Sequence, residues 1–299
     1  MAKFIISTDS CADYFKSEMQ QKNIYCVPVK RINGDQVFEE IYDSEEEYNV
    51  FYEGIRQGSL SSTSQINADE FLTYFNSILE KEKEGDIVHV ALSSGLSGTY
   101  NGAVLAAIEL NEKLKDRKIY VVDSLGATAA MMMLVDKLVE LNGKVPADKA
   151  VKTVEEMRDN LQVFFTVDDL GHLKRGGRIS AAKALIGTAL GVKPILTFNK
   201  IGKLVPIAKA KGQAKALQAI IEFTEKHAPK AGADYAGETL YIVRTSHSEN
   251  YDNLKSAITK KYPKATLKEV IVGPVIGSHV GCGTVGFCFV GKPRLDIAQ

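Results

Sequence analysis

Four short segments of the sequence concentrate hydroxyl and carboxylate side chains. They are residues 9–13 (DSCAD), 61–65 (SSTSQ), 93–100 (SSGLSGTY) and 123–124 (DS). Three of them follow a strand-like stretch, and one precedes a helix-like stretch. Hydroxyl groups and unpaired helix-terminal amides at the carboxyl ends of parallel strands suit the binding of a carboxylate or a phosphate. Each segment alone is better explained by helix capping, but the four together favour an anion site.

A histidine stands among glycines near the end of the sequence. His279 lies in residues 277–283 (GSHVGCG), a pattern that predicts a turn. Because glycines let a backbone approach a ligand closely, His279 is a candidate ligand-facing residue. A loop histidine with no functional role is equally consistent with this spacing. The other histidines are expected elsewhere, His89 in a buried strand and the rest at the surface or in turns: His172, His227 and His247.

Basic side chains offer possible partners for an anion. Residues 175–178 (RGGR) predict a tight basic turn, and Lys209 and Lys211 follow another strand-like stretch. These charges could face the head of a ligand or a protein partner. Alternatively, they belong to solvated loops, which are common.

Motifs for nucleotide, metal or serine-hydrolase chemistry are not supported. Residues 281–286 (GCGTVG) match G-x-G-x-x-G, but they precede the last predicted strand instead of opening a helix after a strand. Residues 95–99 (GLSGT) do not form G-x-S-x-G, and the sequence has no Walker A motif. The four cysteines lack zinc-site or C-x-x-C spacing and are expected to be buried thiols. We therefore expect no metal and no cofactor.

The elements that must position these residues alternate in the first half of the chain. Strands are predicted over residues 3–7, 24–29, 87–92 and 119–122, and helices over residues 67–81, 97–114, 128–141 and 148–161. This alternation predicts an α/β fold with a mostly parallel sheet and helices on both of its faces.

The pattern changes after about residue 160. Strands are predicted over residues 163–167, 194–198, 203–207, 239–243, 266–271 and 285–290, and helices over residues 181–190, 213–226 and 250–261. The strands flanking residues 199–202 predict a hairpin. The sequence thus predicts two α/β domains, residues 1–160 and 161–299, the second with a mixed or antiparallel sheet.

Composition excludes several classes of function. Lys plus Arg number 37 and Asp plus Glu also number 37, so a nucleic-acid binder is not expected. The most apolar run, residues 127–135, is too short to span a bilayer, and no signal peptide is recognised. A cytoplasmic protein without stable membrane insertion is predicted.

Taken together, the motifs resemble those of the DegV family, also called fatty-acid-binding (FakB-like) proteins. Residues 9–13 resemble its opening D-S-x-x-D, residues 63–65 its T-S-Q-P, and residues 93–100 its S-S-x-L-S-G-T-Y. Four further segments follow in the expected order over nearly the whole chain: residues 121–124, 173–180, 191–196 and 273–281.

The resemblance implies a carrier that buries one long-chain fatty acid in a tunnel, with its carboxylate near the domain interface. By position, Thr63 and Ser94 would hydrogen-bond the carboxylate, with His279 close by. The residues implied near the head group or the partner surface are Ser93, Ser97, Gly98, Arg178 and Lys211. A fatty-acid kinase would phosphorylate the carboxylate for phospholipid synthesis, so no catalytic residue or stand-alone turnover is expected of this chain.

The tunnel walls and the departures from the family pattern are further expectations. Residues 131–133 (MMM) and the small-residue helix 181–190 suit either a tunnel wall or ordinary core packing. Ile66 and Cys282 stand where the family usually has Pro, and Lys211 stands where Arg is common. The two missing prolines could alter loop rigidity, and the lysine lacks the planar fork of arginine.

Two other functions compete with the carrier. The first is a small-molecule phosphotransferase or hydrolase using Ser94 or Ser97 with His279, which requires a third group, such as Asp9 or Asp123, to orient the histidine. The second is an interaction module with an incidental lipid.

Overall fold

The computed structural model describes residues 3–39, 41–178 and 191–297. Within them the helices are α1 (Lys16–Lys22), α2 (Glu45–Arg56), α3 (Ala68–Lys81), α4 (Thr99–Lys113), α5 (Ala129–Leu141), α6 (Ala147–Arg158), α7 (Gly171–Arg175), α8 (Gln213–His227), α9 (Glu249–Lys261) and α10 (Pro274–Val280). The strands are β1 (Ile5–Asp9), β2 (Ile24–Val27), β3 (Lys30–Asn33), β4 (Gln36–Glu39), β5 (Ser62–Ser64), β6 (Ile87–Ala91), β7 (Ile119–Asp123), β8 (Leu161–Thr166), β9 (Val192–Phe198), β10 (Leu204–Lys211), β11 (Thr239–Arg244), β12 (Thr266–Ile271) and β13 (Val285–Val290).

The first half of the chain forms the predicted parallel sheet, with strand order β2-β1-β6-β7. Strand β6 is buried along its whole length, as a central parallel strand covered on both faces must be. Helix α3 begins where Asn67 accepts a hydrogen bond from the amide of Glu70, whose carboxylate accepts one from the amide of Asn67. Its buried face carries Phe71, Phe75 and Ile78.

A small antiparallel sheet of order β4-β3-β5 was not predicted. Its strands are only three or four residues long and mostly polar or exposed, so they carry little of the apolar alternation that marks a strand. Residues 61–65 precede helix α3 as expected and also contribute β5, in which Thr63 pairs with Arg31 of β3. Helix α10 packs against this sheet.

The second half forms a six-stranded mixed sheet of order β10-β9-β8-β13-β11-β12. Only β11 and β12 are parallel, and the remaining neighbours are antiparallel. The fold class expected from the sequence, an α/β chain with one parallel and one mixed sheet, is therefore confirmed. The division into domains at residue 160 stays a prediction.

The two faces of the mixed sheet bury different cores because side chains alternate along each strand. On β8, Phe164 packs with α8 and α9, whereas Phe165 joins the core shared with the parallel sheet. On β11, Ile242 and Val243 divide in the same way. Residues from both halves of the chain thus meet in one interior.

Two local expectations were wrong. Residues 277–280 are not a turn, because α10, opened by Pro274 at its first turn, runs through His279 to Val280. His172 lies in α7 and is partly exposed. His227 is not at the surface: it is 6% exposed and its Nδ1 hydrogen-bonds the carbonyl oxygen of Phe223. The predicted helix 181–190 lies outside the described residues.

No helix within the described residues combines the length and the apolar character needed to cross a bilayer.

Candidate functional site

A cavity lies between the parallel sheet and the mixed sheet. Most of its wall is apolar and comes from both halves of the chain, including Leu92, Phe165, Phe198, Val243, Val272 and Val275. The methionines at 131–133 are fully buried core residues and do not line it, so of the two interpretations of that run the ordinary one holds.

Polar side chains from separate elements meet in one part of this wall. Thr63 of β5 and His279 of α10 are joined by a 2.8 Å contact between Oγ1 and Nε2. Burial, with the charge of nearby Arg178, lowers the pKa of His279 to about 4. The imidazole is therefore neutral at pH 7. Its buried Nδ1 has no hydrogen-bond partner among the described residues.

The basic turn predicted at residues 175–178 places a cation beside this pair. The Arg178 Nε donates to the carbonyl oxygen of Leu96 at 3.1 Å, and its Nη1 donates to the carbonyl oxygen of Gly176. A Cβ on Gly176 would lie 2.2 Å from Nδ1 of His279, so only glycine lets the turn approach the imidazole this closely. Thr63, His279 and Arg178 together form a neutral donor–acceptor pair with an adjacent positive charge.

The serines of residues 93–97 divide between the cavity, the interior and the surface. Ser97 lines the cavity, and its Oγ lies 2.9 Å from Oγ1 of Thr99. Ser93 is buried, and its hydroxyl donates to the carbonyl oxygen of Gly202. Ser94 is exposed and is not part of the cavity wall, because the turn at this point directs it outward while its amide donates to Asp123. The carboxylate role assigned to Ser94 therefore fits the position of Ser97 better.

Gly98 and Lys211 occupy different settings. A Cβ on Gly98 would lie 2.2 Å from the side-chain oxygen of Gln65, a cavity-lining residue, so Gly98 allows β5 and α4 to approach. Lys211 is exposed at the end of β10 and does not line the cavity. Lys209, also exposed, likewise lies outside the cavity wall.

The positions at which the sequence departs from the family pattern have local partners. The Ile66 amide donates to Oγ1 of Thr99 at 3.3 Å, a hydrogen bond that proline cannot make. The Cys282 thiol lies 3.5 Å from the carbonyl oxygen of Tyr52. Both residues thus tie their loops to a neighbouring element by a contact in place of a proline ring.

A second, polar depression adjoins the cavity on its outer side. It shares Thr63, Arg178 and His279 with the cavity. Arg175, a candidate from the basic turn, and His172, which was given no role from the sequence, also line it. The shared residues therefore separate an apolar interior from a basic exterior. This arrangement suits a molecule with a long apolar chain and an anionic head.

The geometry does not assemble a serine hydrolase. Nε2 of His279 faces Thr63, and no acid orients Nδ1 within the described residues. Asp9 accepts hydrogen bonds from the amides of Leu92 and Cys11 instead, and burial raises the pKa of its carboxyl to about 6. Asp123 accepts from the amides of Ser94 and Leu125. The described residues also contain no group of His, Cys, Asp or Glu that could hold a metal ion.

Comparison with known proteins decides the family. The model of the DegV family, described as uncharacterised proteins, matches residues 3–292. The chain belongs to the DegV family. A DegV domain-containing protein of Clostridium perfringens is 38% identical to this DegV chain, over 98% of the chain and 99% of the relative.

Solved structures agree with this assignment. A DegV lipid binding protein from Thermotoga maritima is 28% identical, with a TM-score of 0.82 over 98% of this DegV chain and 100% of that chain. DegV of Bacillus subtilis, described as a fatty acid binding protein, is 29% identical, with a TM-score of 0.80 over 98% and 100% of the two chains. The resemblance inferred from the motifs is confirmed.

Proposed function

We propose that this DegV protein binds one long-chain fatty acid, with the acyl chain in the cavity and the carboxylate at Thr63, His279 and Arg178. The observation that carries the proposal is the apolar cavity that meets these three polar side chains at its boundary with the outer depression. Its solved relatives in Thermotoga maritima and Bacillus subtilis, described as lipid and fatty acid binding proteins, support it.

The energetics favour such a ligand. Burial of about 14 methylene groups at ~0.8 kcal/mol each contributes on the order of 10 kcal/mol before ordering and association costs. A carboxylate leaves water only where donors replace its hydration. The Thr63 and Ser97 hydroxyls and the Arg178 guanidinium provide such donors, and a proton on His279 would add another.

We further propose that the protein presents this carboxylate to a fatty-acid kinase, which forms an acyl phosphate for phospholipid synthesis. The basic outer depression adjoins the head-group residues, where a phosphoryl donor would have to approach. The sequence contains no nucleotide motif, so the kinase supplies ATP and metal and this chain contributes positioning. Free cysteines at four positions suit the reducing cytoplasm, the compartment in which we place this step.

Mass spectrometry of an organic extract tests the carrier. We expect one fatty acid per chain from the wild type and a clear reduction from Thr63→Val. Ser94→Ala is the matched control, because Ser94 is exposed beside the same site, and it should retain the wild-type amount. An extract without fatty acid, together with no thermal shift on adding a panel of fatty acids, contradicts the proposal.

A coupled assay tests the kinase step separately. The loaded protein, ATP, Mg²⁺ and a fatty-acid kinase active with another carrier should give acyl phosphate, and either protein alone should give none. Arg175→Ala should slow this reaction while leaving fatty-acid binding unchanged, because Arg175 lines only the outer depression. Binding without acyl phosphate would reject the kinase role and retain the carrier.

A further inference from the structure

Four hydroxyl-bearing residues line the inner cavity without lining the outer depression: Ser64, Ser97, Thr128 and Thr284. Thr128 lines the cavity and is only 9% exposed. It does not line the outer depression, whereas Thr63, His279 and Arg178 line both. No hydrogen bond joins the hydroxyl of Thr128 to another group within residues 3–39, 41–178 and 191–297, and its oxygen is not fully enclosed by protein atoms. Thr284, the other threonine of the inner wall, already donates its hydroxyl to the carbonyl oxygen of Val280.

The backbone holds Thr128 in a conformation that L-residues rarely adopt. Its φ is 52° and its ψ is −122°, which is unfavourable for a β-branched side chain and acceptable for glycine. The amide of Thr128 donates to the carbonyl oxygen of Cys11 at 2.8 Å, so the strained residue is fixed to the turn after β1. Buried Arg294 holds the same loop by donating to the carbonyl oxygens of Leu125 and Ser124.

Such strain persists where neighbouring contacts determine the conformation, and it clusters at ligand sites. Glycine at position 128 would relieve this backbone strain. Threonine retains the strain, but it also holds a hydroxyl group at a fixed point of the cavity wall. A hydroxyl that a bound acyl chain covers loses its hydration at a cost unless the chain offers it a hydrogen-bond partner, and an unsubstituted methylene chain offers none. A hydroxyl or oxo group on the chain can, because threonine both donates and accepts hydrogen bonds.

We propose that Thr128 recognises an oxygen substituent within the acyl chain, so that the cavity prefers a hydroxy or oxo fatty acid over the unsubstituted acid of equal length. This inference rests on the proposed fatty-acid binding. A site that forms a hydrogen bond to a substrate hydroxyl discriminates against the analogue that lacks it, because its own polar group is then left unpaired.

Competitive binding of stearic acid and of hydroxystearic and oxostearic acids substituted at successive carbons tests the proposal. The wild type should bind at least one substituted isomer about threefold to tenfold more tightly than stearic acid, the range of one net hydrogen bond. Thr128→Val keeps the shape and removes the hydroxyl, so this preference should disappear. Thr284→Val is the matched control and should retain it, since the Thr284 hydroxyl is already bonded within the protein.

Two further variants distinguish the loss of the hydroxyl group from a folding defect. Thr128→Ser should keep the preference, and Thr128→Gly should abolish it while relieving the backbone. A substituted acid that binds no better than stearic acid to the wild type, or a preference that survives in Thr128→Val and Thr128→Gly, overturns the role of Thr128. If no acid binds at all, stearic acid included, the carrier function itself fails, and the two results are therefore distinguishable.

Discussion

At the scale of single residues, the lowered pKa of His279 makes the stability of the folded protein depend on pH. Its pKa is lowered to about 4 from an ordinary 6.5, so between these values the unfolded chain binds a proton that the folded protein does not. Folded-state stability attributable to His279 is therefore full above about pH 6.5 and is lost as the pH falls towards 4. Asp9, whose pKa is raised to about 6, has the opposite effect over an overlapping range.

A comparison with His279→Gln isolates the histidine from Asp9. We expect the wild type to lose stability relative to this variant as the pH falls from 6.5 to 4, because only the wild type has the shifted imidazole. Denaturant unfolding at a series of pH values measures the difference. If the difference in free energy of unfolding between the two proteins did not change from pH 6.5 to pH 4, or if His279 titrated near pH 6.5 by NMR, the buried and neutral state of His279 would be contradicted.

The close approach of Gly176 to His279 gives a second prediction. Gly176→Ala places a methyl group 2.2 Å from the present Nδ1 position, so the imidazole must move away from Thr63. Fatty-acid affinity should fall about tenfold, as expected for the loss of a hydrogen bond to a charged group. Gly54→Ala is the control, because its added methyl group meets only Ser59, at an ordinary 3.7 Å. Equal affinities for the two variants would refute the assigned geometry.

Residue types, together with the family resemblance, predicted part of this candidate site. Thr63, His279 and Arg178 were found through short motifs, because each stands in a segment whose composition differs from ordinary core or surface. The choice between Ser94 and Ser97 depends on how a tight turn orients successive side chains, which their spacing does not record. Thr128 was missed because its unusual φ results from contacts with Cys11 and the loop held by Arg294.

At the scale of elements, helix α10 is the part that delivers His279 to the site. Its N-terminal end lies against a buried carboxyl, since a Cβ on Gly273 would lie 2.7 Å from Oδ1 of Asp13. Burial raises the pKa of Asp13 well above its usual value. The opening turn after β1 therefore fixes the start of the helix that carries the histidine.

Gly273→Ala tests this dependence. The added methyl group must displace Asp13 or the helix, so we expect a loss of about 1–3 kcal/mol in the free energy of unfolding, as for other overpacked interiors. Fatty-acid affinity should fall as well, because α10 carries His279. Calorimetry and ligand titration measure the two effects. A loss of stability with unchanged affinity would show that the helix start and the histidine are not coupled.

Element prediction succeeded where periodicity was strong. Helix α3 and strand β6 were predicted within about a residue, because their apolar patterns are long. Helix α10 was missed since it has seven residues, two of them glycine or proline, and β3–β5 were missed since they are short and polar. Both missed parts contribute to the head-group site.

At the scale of the whole molecule, Asp136 connects the two halves of the chain. Its carboxylate accepts hydrogen bonds from Tyr14 and from Lys22 of the first half, and from Tyr241 and Lys268 of the second, the last at 2.9 Å. Burial raises its pKa, but the hydrogen bonds and the charges of both lysines outweigh this and hold the pKa below 3.8. The alternation of strands and helices predicted two sheets, but their mutual packing rests on such contacts between residues distant in sequence.

Removing the charge of Asp136 should weaken the whole fold. We expect Asp136→Asn to lose about 1–3 kcal/mol, less than for a fully buried pair because Asp136 keeps some exposure. The contribution is present above pH 3.8 and is lost as the pH falls through the depressed pKa. Glu109→Gln, which removes an exposed pair with Lys113, is the control and should change stability by less than about 0.5 kcal/mol. Similar losses for both variants would contradict this role.

Because the cavity lies between the sheets, a ligand bound in it contributes to the stability of the folded protein. An acyl chain bound there touches side chains from both halves, such as Leu92 and Val243, and so becomes part of the packing that joins them. Because a ligand held only by the folded state stabilises it by mass action, loaded and unloaded protein differ in their resistance to proteolysis. On the proposed function, release of the fatty acid should therefore make this DegV protein more susceptible to proteolysis.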